Sequence, residues 1–435
     1  MQARTSTPVA IAGAAIGHVL EWYDFGVYAY FALQISEFLF PSGAPGVALL
    51  STFLVFGIGF VIRPLGSIVF AHYGDTHGRK NALLITFWIM GFATMLTGLI
   101  PPYSSIGILA PALLIVFRLA QGFGGGGEWG GVGSYLTELG GKNRRGLYGS
   151  MQQVFILVSL LAGSLTGLAL TSIGTSFVNT IGWRLPFVIG GLVMLPITAV
   201  LRTKLPETES FVEVKQKGEI VRFPIVQAFT KDLKPTLLIL FGTVIWTVSF
   251  YIMLSYLPTY IKTTTSLSLN DSFIITSAGI LLIAIFVPVW AYLSDRKFGR
   301  KKLALVGAVG FIILPYPVFV VIHSGSFYTV LAATLLLDFF ISFLSAVNVS
   351  WFAESFPTVD RYSGFIPYNI STSIFGGFAA YIAIFLINST GDPIAPVYYV
   401  IASGVLSAIA YAFMKETAKI EKLPGLHSVY SKQRD

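Results

Sequence analysis

Apolar runs long enough to cross a bilayer follow one another along this whole chain, and that alone removes most folds from consideration. A membrane-spanning helix needs about 20 apolar residues. Twelve stretches qualify, with cores near 9–33, 47–71, 82–101, 106–128, 148–172, 185–203, 236–260, 272–293, 303–322, 327–352, 363–388 and 395–414. The period-two alternation of a β-barrel is absent. Charged residues are 11% of the chain, against about 25% in a soluble domain, so the expected solvent is lipid and the expected class all-α integral membrane.

The net charge of +8 would invite a nucleic-acid partner in a soluble protein. Here its placement argues against one. Of 28 Lys and Arg, 24 fall in the two tails or in alternate loops, leaving Arg184 and Lys262 on the other side and Arg63 and Arg118 inside apolar runs. That bias follows the positive-inside rule and puts both termini in the cytoplasm, and an even number of spans independently requires them to share a side. The first run continues through Glu21 and Asp24 to Phe40 without a small-residue cleavage site, so it reads as a retained helix and not a signal peptide.

The chain also repeats itself. Glu138 precedes Arg145 by seven residues, and Glu354 precedes Arg361 by seven, at a common offset of 216. Asp75, Arg79 and Lys80 recur as Asp295, Arg300 and Lys301, with the aspartates 220 apart. Two six-helix halves around a central cavity are expected, and such duplication marks secondary transporters. The halves are 1–203 and 235–416, joined by a polar linker at 204–234 and followed by a tail at 417–435. The duplicated loop charges, Asp75, Arg79, Glu138, Arg145, Asp295, Arg300, Glu354 and Arg361, are expected to latch the halves as gating residues.

Charges inside the apolar runs are few: Glu21, Asp24, Arg63, Arg118, Glu128 and Asp338. Each costs about 2.5–3.5 kcal/mol on insertion scales and needs a partner or a purpose. A shift of 216 sets Arg118 on Thr334 and Glu128 on Leu344, and Arg63 meets the uncharged 279–283 segment. A requirement common to both halves would appear in both, so this asymmetry assigns Glu21, Asp24, Arg63 and Arg118 to function. The plainer alternative is a buried ion pair that only fixes packing. For Asp338 a packing or lining role is the expectation.

Arg63 and Arg118 suit a substrate carboxylate, and Glu21, Asp24 and Glu128 are candidates for a coupling proton. Gln121, Gln152, Gln153, Tyr28, Tyr251, Tyr256 and Asn369 are expected to line the substrate path. His18, one turn before Glu21, could join a proton relay or simply pack. The segment Gly122 to Gly127 formally matches G-x-G-x-x-G, but no strand precedes it, so the glycines read as close packing or bending of a helix at the cavity. The chain has no cysteine, no P-loop and no metal-ligand spacing among its five histidines. No cofactor or metal is expected.

Four segments carry a family resemblance: Glu21-Trp22-Tyr23-Asp24-Phe25, Arg63-Pro64-Leu65-Gly66, Gly74-Asp75 to Gly78-Arg79-Lys80, and Arg118 to Gly122 followed by Gly127 to Gly131. Together with the expected spans they resemble the metabolite:proton symporters of the major facilitator superfamily, whose members carry citrate, 2-oxoglutarate, shikimate, and proline or betaine. The resemblance implies a monomeric proton symporter of the cell (inner) membrane, not an enzyme, working by alternating access on an organic acid. A zwitterionic osmolyte is the alternative. A membrane receptor or polytopic enzyme is a remoter reading, and no convergent nucleophile or phosphate site supports the enzyme.

Overall fold

A computed structural model describes residues 7–41, 43, 45–77, 79–126, 128–141, 143–204, 233–356 and 365–419. All regular structure among them is helical, as a lipid solvent demands of a backbone that must satisfy its own hydrogen bonds. The helices are α1 (Thr7–Tyr30), α2 (Ala32–Leu39), α3 (Pro45–Val61), α4 (Arg63–His77), α5 (Arg79–Leu99), α6 (Tyr103–Ile106), α7 (Leu109–Gly125), α8 (Glu128–Leu139), α9 (Arg145–Ile173), α10 (Thr175–Thr180) and α11 (Leu185–Lys204). The second half holds α12 (Leu233–Gly242), α13 (Val244–Phe250), α14 (Leu257–Thr264), α15 (Leu269–Leu293), α16 (Arg300–Ile313), α17 (Pro315–Ser324), α18 (Phe327–Ser355), α19 (Ile366–Ser371), α20 (Ala379–Thr390) and α21 (Pro396–Phe413).

Eight helical stretches among the described residues are long and apolar enough to cross a membrane, or nine if the bent α16–α17 pair is one span. Shorter apolar helices run over Ile85–Leu99 and Gly182–Val193. The linker at 205–232, Arg361 and the tail from 420 lie outside the described residues, as do the side chains of Asp75 and Arg79.

Several helices are broken where they face the molecule's centre. α7 ends at Gly125 and α8 starts at Glu128, within one apolar stretch. Wider π turns occupy Tyr251–Tyr256, between α13 and α14, and Thr372–Gly376, between α19 and α20; such turns cluster at functional sites. Close approach needs the glycines: a Cβ on Gly122 would strike the Gly59 carbonyl of α3, and one on Gly66 the Phe123 carbonyl of α7. The packing expectation for the Gly122 segment is thus met.

Contacts between the halves occur at both ends of the seam. At the basic-loop end the Asp295 carboxylate accepts the Gly146 and Leu147 amides at 2.9 and 3.0 Å, sitting on the positive N-terminus of α9. Arg300 ties this cap to the second half, reaching Asp295 at 2.7 Å and Glu354 at 3.0 Å. At the opposite end Ser164 meets Ser277 at 2.9 Å, Thr171 donates to Asn270 at 3.0 Å, and Tyr30 packs edge-on against Phe273. The seam is tied on both sides of the centre, which is an occluded arrangement.

Candidate functional site

The buried charges of the first half meet in two ion pairs. Arg63, the first residue of α4, donates from Nη2 to Glu21 Oε1 at 2.6 Å. Arg118, from the middle of α7, donates from Nη1 to Asp24 Oδ2 at 3.1 Å. All four side chains are essentially without solvent exposure. The i, i+3 spacing of Glu21 and Asp24 offers both carboxylates from one side of α1. The break between α3 and α4 and the tight α3–α7 contact bring the two arginines up to them.

Aromatic faces complete the cationic surroundings. The Arg63 guanidinium lies 4.6 Å from the ring centres of both Phe25 and Phe60, and that of Arg118 lies 3.9 Å from the Tyr28 ring. Such contacts are favourable, the more so when desolvated. Each ion pair uses one donor and one oxygen. Arg63 Nε, Arg118 Nε and Nη2, Glu21 Oε2 and Asp24 Oδ1 are buried without a hydrogen-bond partner. Buried polar groups are nearly always satisfied, so open donors and acceptors here mark a place built to receive something polar.

A second cluster adjoins Glu21. His18 Nδ1 is 4.0 Å from Glu21 Oε2, and the ligating atoms of His18, Glu21 and Glu128 all lie within 4.8 Å of one another. Gln152 holds His18 Nε2 at 2.9 Å and donates to the Trp129 carbonyl at 3.0 Å. One imidazole and two carboxylates can share protons or hold a cation. Sequence spacing hid this set, because Glu128 comes from α8 and the others from α1.

Against the charged layer, where the halves meet, is a narrow cleft with a cavity volume of about 10 Å³, lined by Trp22, Gln153, Ile156, Trp246, Thr247, Phe250, Tyr251 and Tyr368. That is room for about one water, so the cleft is closed in this conformation and its aromatic walls must part to admit a substrate. Its walls are mostly aromatic. Trp22 stacks on Tyr251 at 6.3 Å, and Tyr368 stacks on Trp129 of the other half at 3.8 Å. Trp22 also joins the two layers, lying 5.7 Å from the Arg63 guanidinium.

Of the residues expected from sequence, Glu21, Asp24, Arg63 and Arg118 come together, Gln153 and Tyr251 line the cavity, and Gln152 reaches His18. Tyr28 underlies Arg118 and donates to the Thr52 carbonyl. Gln121 donates from Nε2 to Thr94 at 2.9 Å, and its Oε1 is buried without a hydrogen-bond partner. Tyr256 packs edge-on against Phe53, and Asn369 is buried on α19; neither lines the cavity. Trp22, Trp246, Phe250 and Tyr368 were missed as lining residues. Trp22 stands between Glu21 and Asp24 and could have been found by that position; among 63 aromatics nothing in the chain's order singles out the other three. In the gating set, Asp295, Arg300 and Glu354 converge, Glu354 pairing with Arg300, while Arg361 is outside the described residues. Glu138 is exposed and Arg145 buried.

Polar groups buried at the seam of two helical halves are what a secondary transporter requires. Comparison with known proteins gives its kind. A sugar (and other) transporter family model matches residues 10–223, and a major facilitator superfamily model matches 261–428. The glycine betaine/proline/ectoine/pipecolic acid transporter OusA of Dickeya dadantii is 35% identical over 94% of this chain and 83% of its own length. A citrate-proton symporter of Salmonella typhi is 33% identical over 95% of each chain. A putative proline/betaine transporter of Staphylococcus aureus is 32% identical over 98% of this chain and 92% of its own. The E. coli xylose transporter XylE, in a partially occluded inward-open form, superposes with a TM-score of 0.74 at 18% identity, covering 94% of this chain and 98% of that one. The chain belongs to the major facilitator superfamily, within its metabolite:proton symporters.

Proposed function

We propose that this protein accumulates a small zwitterion bearing a quaternary or secondary ammonium, of the betaine or proline kind, by proton symport through alternating access. The carrying observation is the pairing of an aromatic cavity with a charged layer already neutralised by its own carboxylates. Two arginines facing two carboxylates, with Glu128 close by, present no net positive charge to a di- or trianion. A zwitterion needs none. Its carboxylate can take the open donors of Arg63 and Arg118, and its ammonium can lie among Trp22, Trp246, Tyr251 and Tyr368, whose ring faces attract cations. Relatives of both substrate classes match about equally well, so the chemistry of the site decides.

Proton coupling follows from the ion pairs. A proton arriving on Glu21, or on Asp24, releases its arginine from one contact and leaves that arginine to bind the substrate carboxylate. Protonation and substrate binding then favour one another. The His18, Glu21 and Glu128 cluster is the route by which the proton reaches the pair, and no cofactor is required. The proposed layout is twelve spans in two pseudo-repeats, 1–203 and 235–416, with the 204–234 linker, the 417–435 tail and both termini cytoplasmic in a cell (inner) membrane. The functional unit is a monomer. An organic acid remains the second reading, supported by the citrate-proton relative.

Purified protein in liposomes should concentrate radiolabelled glycine betaine when the exterior is acidified, and unlabelled proline should compete while citrate should not. Competition by citrate without competition by proline would replace this reading with the organic-acid one.

A further inference from the structure

The second half holds a buried carboxyl that the site above does not use. Asp338 lies near the middle of the 29-residue α18 and is 1% exposed. Neither of its oxygens has a hydrogen-bond partner, and it enters no ion pair among the described residues. Its Oδ2 occupies the space that a Cβ on Gly279 of α15 would need, so that glycine makes room for it. The hydroxyls of Thr334, one turn before Asp338, and Thr276, one turn before Gly279, are also buried and unpartnered. Two neighbouring helices thus bring unsatisfied polar groups to the same stretch of their contact, at mid-depth of an apolar bundle.

An ionised carboxylate with no partner in such a place costs several kcal/mol, so this conformation is stable only with the carboxyl neutral. Among the described residues, nothing packed around it supplies a counter-charge. On α15 the charged residue is Asp271, at the far cap. On α16 the charges are Arg300, Lys301 and Lys302, at the basic end, where Arg300 is committed to Asp295 and Glu354. On α17 the titratable group is His323 in the last turn, on α8 Glu128 and Glu138, and on α9 Arg145 at the first residue.

Two connections tie this carboxyl to the transport cycle. The helix that covers it, α15, is also the seam helix, held to α9 by Ser277 and Asn270 and to α1 by Phe273. Opening that end of the seam draws α9 and α1 away from the helix that covers Asp338. Along α18, Asp338 precedes Ser345 by seven residues, about 10 Å of helix, and Ser345 accepts the indole N–H of cavity-lining Trp246 at 3.0 Å. One continuous helix thus carries both the buried carboxyl and a hydrogen bond to the cavity wall.

The geometry points to Asp338 as a second proton carrier of the cycle, loaded when the seam along α15 opens and carried neutral while the seam is closed. This rests on the symport reading above. The test measures proton and glycine betaine fluxes together in proteoliposomes with sodium replaced by potassium. The wild type is expected to move two protons per substrate, and Asp338→Asn, which keeps the shape but cannot release a proton, to halve that ratio while substrate counterflow persists. An unchanged ratio in Asp338→Asn overturns the inference, as does a wild-type ratio of one. If Asp338→Asn loses counterflow as well, Asp338→Glu decides: with counterflow intact it must carry the full ratio, and a halved ratio there overturns the assignment. A wild type that moves betaine with no protons at all sinks the symport reading itself, and this inference with it.

Discussion

At the scale of single residues, the two ion pairs are less alike than their shared chemistry implies. Arg118 rests on the Tyr28 ring and reaches Asp24 with one nitrogen, leaving two donors open. A lysine could neutralise Asp24 but could not stack flat or offer a second donor. Arg118→Lys should therefore keep the protein folded while uptake falls to background in the liposome assay. Arg118→Ala strands the Asp24 charge, which costs about 3–5 kcal/mol, so it should also lower the melting temperature. The double variant Asp24→Asn/Arg118→Ala should recover the melting temperature and not the uptake; recovery of both would reduce this pair to a packing device. Gly125 is a sharper probe of the other pair. A Cβ there would lie 2.6 Å from Glu21 Oε1 and 3.6 Å from Arg63 Nη2, so Gly125→Ala should displace the carboxylate and abolish pH-driven accumulation with the fold retained. That these charges matter was legible in the sequence, because ionisable residues in apolar runs are costly wherever they stand. Which carboxylate meets which arginine was not, since pairing across helices depends on bends and depth that no spacing along one helix encodes.

At the scale of helices, the breaks do the positioning. Arg63 begins α4 just after the end of α3, α7 gives way to α8 at Gly126, and the second half turns through π segments beside the cavity. The glycine-rich segment at 122–127 announced close packing or a bend in the sequence, and the structure shows the close packing at Gly122. The π segments left no trace, because Tyr251–Tyr256 and Thr372–Gly376 read as ordinary helical sequence and owe their extra residue to tertiary packing. The α3–α7 contact tests how tightly this is specified. Gly122 faces the Gly59 carbonyl, backbone against backbone, with Ile62 also in reach of a Cβ. Main chain cannot swing aside as a flexible side chain can, so Gly122→Ala should cost about 1–3 kcal/mol, the usual range for overpacking. It should appear as a lowered melting temperature in detergent, together with loss of the Arg118 site that α7 carries. Wild-type stability in that variant would mean that the two helices have room to separate.

At the scale of the molecule, the duplicated loop motif located the latch but not its logic. The sequence set Glu354 opposite Arg361 and Asp295 beside Arg300. The structure shows Arg300 gathering Asp295 and Glu354, while the Asp295 carboxylate itself crosses the seam to the α9 N-terminus. A carboxylate on a helix terminus binds backbone amides that any sequence supplies, so no complementary residue could have betrayed the partner. One arginine thus holds the carboxylate that closes the basic-loop side, and removing it should let that side open. A chain without cysteine makes the opening measurable with a single introduced thiol. Ser350, fully buried on α18 against Gly149 of α9, lies on the seam below the cavity. In Ser350→Cys the thiol should resist a membrane-impermeant maleimide, whereas in Ser350→Cys/Arg300→Ala it should react readily in inside-out vesicles and stay protected in intact cells. Equal labelling with and without Arg300 would remove it from gating. Labelling from the outside of intact cells would reverse the assigned orientation, because the same latch would then close the external face.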